Sequence, residues 1–168
     1  MSVTELPRMM VFLPLGRDRA REIRAAGRST DELPAYAATA AMITAHGYRP
    51  DEREDADYAA QLYASVAGLR SFPDDARLVV AAEVPIARVR DSPAEVAYGA
   101  ILVDGLDWAD VAAVFVDAPE AAAAVRTARK AVEADPDAGL AAVLELPEII
   151  ALTDEHELLW HNPDENWA

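Results

Sequence analysis

Apolar residues along this chain follow two rhythms: short unbroken runs closed by proline, glycine or aspartate, and longer stretches that repeat every three or four positions. The first rhythm marks buried strands and the second amphipathic helices. Met9-Met10-Val11-Phe12-Leu13, stopped by Pro14 and Gly16, predicts a first strand. Ala20, Ile23 and Gly27 then space out a helix over Asp18 to Gly27, with the glycine where a left-handed C-terminal cap falls. Arg28 to Pro34 is polar and predicts a loop; Ala35 to Gly47 predicts a strand and then a helix ended by Gly47 and Pro50. Asp51 to Phe72 is the clearest helix. Tyr58, Leu62, Val66 and Leu69 share one face, and acids fill its first turns, where the helix dipole favours them.

Leu78 to Val84, Tyr98 to Val103 and Val111 to Val116 predict three more strands of one sheet. Asp117-Ala118-Pro119-Glu120 starts a helix that runs to about Glu133. Asp135-Pro136 starts another through Leu140, Val143 and Leu144, which Pro147 interrupts before Ile149 and Ile150. Leu158-Leu159-Trp160 predicts an edge strand or docked segment, because three large apolar groups are costly to expose together. The expectation is a mixed α+β (α/β) fold. It is a single globular domain over 1–168, with one sheet of about five or six strands packed against amphipathic helices, and 162–168 a loose tail.

Length and composition agree with that picture: 168 residues, 52% of them hydrophobic, suffice for one core, and alanine supplies so much of the apolar total that close backbone approach is expected. No cysteine is present, which excludes disulfides, thiol chemistry and thiolate zinc sites and suits the cytoplasm. Residues Met1 to Arg8 lack an apolar leader, and no window approaches a membrane span, so neither export nor membrane insertion is expected. The net charge of −15 argues against direct nucleic-acid binding and for basic partners. Its distribution sharpens the point. Residues 1–90 carry 12 basic and 13 acidic side chains, residues 91–168 carry 3 and 17.

Familiar chemical signatures are missing, among them glycine-rich phosphate loops, the nucleophile elbow and the paired-histidine zinc motif. No catalytic residue, metal ligand or cofactor is assigned. Arg17, Arg21, Arg24 and Arg28, spaced 4, 3 and 4, form the most organised polar feature: a helix through them lines up four guanidinium groups. That row suits an anionic ligand or partner contact, or else a solvated face that balances the acidic half. Asp104, Asp107 and Asp110 read as turn residues between strands, and His46, His156 and His161 as surface or capping residues. Ser65, Tyr58 and Tyr63 read as packing residues of their helix.

The ordered set Met10-Val11-Phe12-Leu13-Pro14, Tyr58-Ala59-Ala60, Val79-Val80-Ala81-Ala82-Glu83-Val84-Pro85, Trp108-Ala109-Asp110-Val111-Ala112-Ala113-Val114 and His156-Glu157-Leu158-Leu159-Trp160 resembles a family of uncharacterised acidic proteins from high-GC Gram-positive bacteria. The resemblance implies a cytoplasmic domain of unknown function and carries over no site residue. Two functional expectations stand side by side. One is a non-catalytic interaction or regulatory protein that offers its acidic surface, residues 91–168, to a basic protein partner. The other is a small enzyme or ligand-binding protein that recognises an anionic small molecule through Arg17, Arg21, Arg24 and Arg28. Homo-oligomerisation stays open, since alanine-rich faces pack within or between chains.

Overall fold

A computed structural model describes residues 7–167. The leader-free reading of Met1 to Arg8 therefore falls mostly outside the described residues, as does position 168. The architecture is mixed α+β. Strands β1 (Arg8–Pro14), β2 (Arg28–Tyr36), β3 (Leu78–Pro85), β4 (Val89–Asp91), β5 (Ala100–Asp107), β6 (Val111–Val116) and β7 (Leu159–His161) form one antiparallel sheet in the order β4-β5-β2-β1-β3-β6-β7. Six helices accompany it: α1 (Arg17–Ala26), α2 (Ala40–His46), α3 (Arg53–Ser71), α4 (Ala122–Glu133), α5 (Leu140–Leu144) and α6 (Pro147–Glu155).

Strand alternation divides the core in two, because successive side chains point to opposite faces of a sheet. Val11, Leu13, Val80, Ala82 and Val84 face a layer closed by Ala20 and Ile23 of α1 and by Trp108 and Trp167. Phe12, Val79 and Ala81 face the larger layer built from α2 to α6. On α3 the innermost residues are Ala56, Ala60 and Ala64, with Val66 and Leu69. Tyr58, expected on that face, is 55% exposed instead. Small side chains let the helix backbone come close to β1, as a 3.2 Å approach between Pro14 Cβ and a Cβ built on Gly68 shows.

Three further expectations need correction. The polar stretch Arg28 to Pro34 is strand and not loop, extending backward the strand expected from Ala35, and the short β4 brings the sheet to seven strands where about five or six were expected. β1 meets β2 at Phe12↔Tyr36 while β5 pairs along most of it, so β2 behaves largely as an edge, where proline and charged residues are tolerated. Asp104 and Asp107 belong to β5 itself rather than to a turn. Finally, the segment from Asn162, expected to be loose, folds back and buries Trp167 to 4% exposure.

The caps follow the sequence closely. Gly27 and Gly47 both adopt left-handed geometry at helix ends, and Thr39 Oγ1 accepts from the Met42 N–H at the start of α2. Gly99 is the most constrained position, with φ of 81° and space for a Cβ only 2.1 Å from the Ala37 carbonyl oxygen. Gly99→Ala is expected to lower stability by about 2–3 kcal/mol, from left-handed strain together with overpacking. A urea midpoint shifted down at constant slope is the expected result; an unchanged midpoint refutes the packing argument.

Candidate functional site

The strand pairing Leu78↔Val116 sets the residue before β3 opposite the residue after β6. These are Arg77 and Asp117, whose side chains are 3% and 0% exposed and meet in a two-pronged ion pair: Nε to Oδ2 at 2.8 Å and Nη2 to Oδ1 at 2.7 Å. Backbone bonds close the ring, from Arg77 N–H to Asp117 Oδ2 and from Asp117 N–H to the Arg77 carbonyl. Arg77 Nη2 also donates to the His156 carbonyl at 2.7 Å, and Nη1 to Ser65 Oγ at 3.4 Å. One guanidinium thus ties the end of the sheet to α3 and to the exit of α6.

Above it opens a cleft of about 170 Å³. Tyr58, Gln61 and Leu62 of α3 form one wall, Thr153, His156, Glu157 and Leu158 the other, and Phe115 lies between. Ser65 donates its hydroxyl hydrogen to the Leu62 carbonyl at 2.7 Å, and among the described residues no histidine nitrogen bonds it, so nothing activates it as a nucleophile. Arg77 is neutralised by Asp117 and its donors are nearly all engaged, so the floor offers little to an anion. One turn before Gln61, burial raises the pKa of the Asp57 carboxyl from its ordinary value, an effect that Arg53 at 3.6 Å opposes. Trp160 pairs with Phe115 across β6 and β7 and therefore shares its face of the sheet, 59% exposed beside the cleft.

Charge is partitioned along the chain. Asp104, Asp107 and Asp110 bind Arg90, Arg88 and Arg8 at 3.0, 3.3 and 2.9 Å. Among the described residues no group of histidine, aspartate and glutamate is arranged to hold a metal ion. From residue 131 onward there is no lysine or arginine, yet Glu133, Asp135, Asp137, Glu145, Glu148, Asp154, Glu155, Glu157, Asp164 and Glu165 follow in turn. None of these forms an ion pair among the described residues. Ile150, Leu159 and Trp160 stand exposed in the same stretch.

The arginine row divides. Arg17, Arg21 and Arg24 lie on α1, but Gly27 ends the helix and Arg28 opens β2. Arg21 faces Asp18 at 3.6 Å. Arg24 lies 4.5 Å from the centre of the Trp167 ring and donates to the Glu165 carbonyl at 3.2 Å. Arg17 is half-buried, its N–H bound to Asp74 Oδ2 at 2.9 Å. The guanidinium groups of two of the four, Arg21 and Arg24, are therefore engaged within the chain itself. His46 packs edge-on against Tyr98, its Nε2 2.9 Å from the Ala97 carbonyl oxygen, and His161 Nδ1 lies 2.9 Å from the Leu159 carbonyl oxygen.

Sequence reasoning missed Arg77 and Asp117. The available signal was positional: a charge just before one apolar run and an opposite charge just after another, which meet if the runs pair antiparallel in full register. Among the described residues no helix is long and apolar enough to cross a membrane. The model of a family of unknown function (DUF6912) matches residues 9–167. No curated protein and no solved structure matches the chain.

Proposed function

The chain belongs to that family of unknown function, and we propose that it is a non-catalytic cytoplasmic interaction protein that holds a basic segment of a protein partner on its acidic C-terminal face. The observation that carries this reading is the run of carboxylates beyond residue 131, unpaired within the described residues and interleaved with exposed Ile150, Leu159 and Trp160. Carboxylates steer and orient a basic partner, and an exposed tryptophan beside a cleft supplies the buried anchor on which binding energy concentrates. The neutralised floor of the cleft favours an apolar or cationic side chain over an anionic one. A second copy is the poorer occupant, because two such faces repel each other. The α1 arginines are the weaker surface, since Arg21 and Arg24 already have partners within the chain.

The test is affinity capture from the native host's lysate at low and moderate salt. Wild type is compared with Trp160→Ala and with a triple Asp154→Asn, Glu155→Gln, Glu157→Gln variant. A basic protein retained in stoichiometric amount is expected, lost as salt shortens the screening length toward about 8 Å. Trp160→Ala is expected to weaken that complex by about 2 kcal/mol, roughly thirtyfold. Identical capture by wild type and both variants overturns the reading.

A further inference from the structure

On the helical face of the sheet, α3, α4 and α5 leave a second cleft of about 210 Å³. Val132, Leu140 and Val143 give it apolar walls, and Tyr36, Arg70 and Glu95 bring a phenol, a guanidinium and a carboxylate to it. Tyr36 ends β2, is 8% exposed, and lines the cleft. A phenol on a cleft wall offers a hydroxyl that a bound molecule can take up in place of water. Burial raises its pKa, Glu95 adds to the effect and Arg70 opposes it, and all three residues line the same cleft.

Glu95 is held there at a cost. It is the one non-glycine among the described residues with positive φ, 59°, a conformation unfavourable for a side chain of this kind. Its Oε1 accepts from the Leu140 N–H at 3.2 Å, which fixes the carboxylate at the mouth. Arg70 is steadied in turn by Nη2 donating to the Ala138 carbonyl at 3.2 Å, which leaves its other nitrogens available.

We propose that this cleft binds a small zwitterion with an apolar body, the chemistry of a free apolar amino acid. Arg70 and the Tyr36 hydroxyl receive the carboxylate, Glu95 the ammonium, and Val132, Leu140 and Val143 the side chain. A simple carboxylate meets Glu95 repulsion, and a simple amine meets Arg70. The volume lies below the roughly 300–1,000 Å³ typical of drug-sized ligands and restricts the occupant to a compact molecule.

The experiment is calorimetric titration of the intact chain with leucine, valine, methionine and phenylalanine, alongside 4-methylpentanoate and isoamylamine. Amide NMR shifts at Leu140 and Val143 report the location. At least one amino acid is expected to bind with a Kd near or below about 1 mM, and its acid and amine analogues at least about tenfold more weakly. Tyr36→Phe and Arg70→Met, with unchanged thermal midpoints, are expected to weaken it by about five- to tenfold. The proposal is overturned if no amino acid binds at about 10 mM, if the deaminated acid binds equally well, or if Tyr36→Phe folds and binds as wild type does.

Discussion

Arg77→Met is expected to cost about 3–5 kcal/mol of stability, the largest loss from any single substitution considered for this chain, because it strands the buried Asp117 carboxylate. Asp117 is fully shielded and takes two hydrogen bonds from the Arg77 guanidinium and one from its backbone N–H, so removal of the cation leaves a buried charge held by a single backbone donor. Asp117→Leu strands the guanidinium in the same way, although the Ser65 and His156 bonds soften the effect. The double variant is expected to cost less than the two singles added together, since replacing both partners removes the unpaired charge. Urea unfolding at constant slope measures all three. Single losses below about 1 kcal/mol contradict the argument. Because Arg77 Nη2 holds the His156 carbonyl, Arg77→Met is also expected to loosen the wall of the acidic cleft and weaken the Trp160-dependent complex.

Those two residues show where sequence reading stops. Apolar runs announced β1, β3, β5 and β6, and helical spacing together with Gly27 and Gly47 announced α1 and α2, because in these elements burial on a defined face dictates residue type. β2 was illegible. Residues 28–32 lie at the surface and the strand's backbone bonds run chiefly to β5, so those side chains record neither core nor alternation, which begin only at Leu33 and Ala35. Tyr58 was misplaced for a related reason: alanine at 56, 60 and 64 carries little hydrophobic signal, yet it forms the face that approaches the sheet. At the acidic face the excess charge was visible in the sequence, but its lack of partners was not. Which carboxylates an arginine reaches is decided by strand register, as with Asp104, Asp107 and Asp110.

Trp167 supplies the second large effect, from a segment whose polar composition gave no sign of it. Its ring lies 6.0 Å from that of Trp108 and beneath Arg24, and its indole N–H donates to the Pro163 carbonyl at 2.9 Å. Burial, aromatic contact and the cation over the ring all disappear in Trp167→Ala, for an expected loss of about 3 kcal/mol. Arg24→Met keeps the aliphatic contact and is expected to lose only about 0.5–1 kcal/mol. The two substitutions separate packing from charge. A red shift of Trp108 emission is expected to accompany Trp167→Ala, because Trp108 then loses its cover. If Trp167→Ala unfolds at the wild-type urea concentration with unchanged emission, the C-terminal segment contributes nothing to the α1 layer.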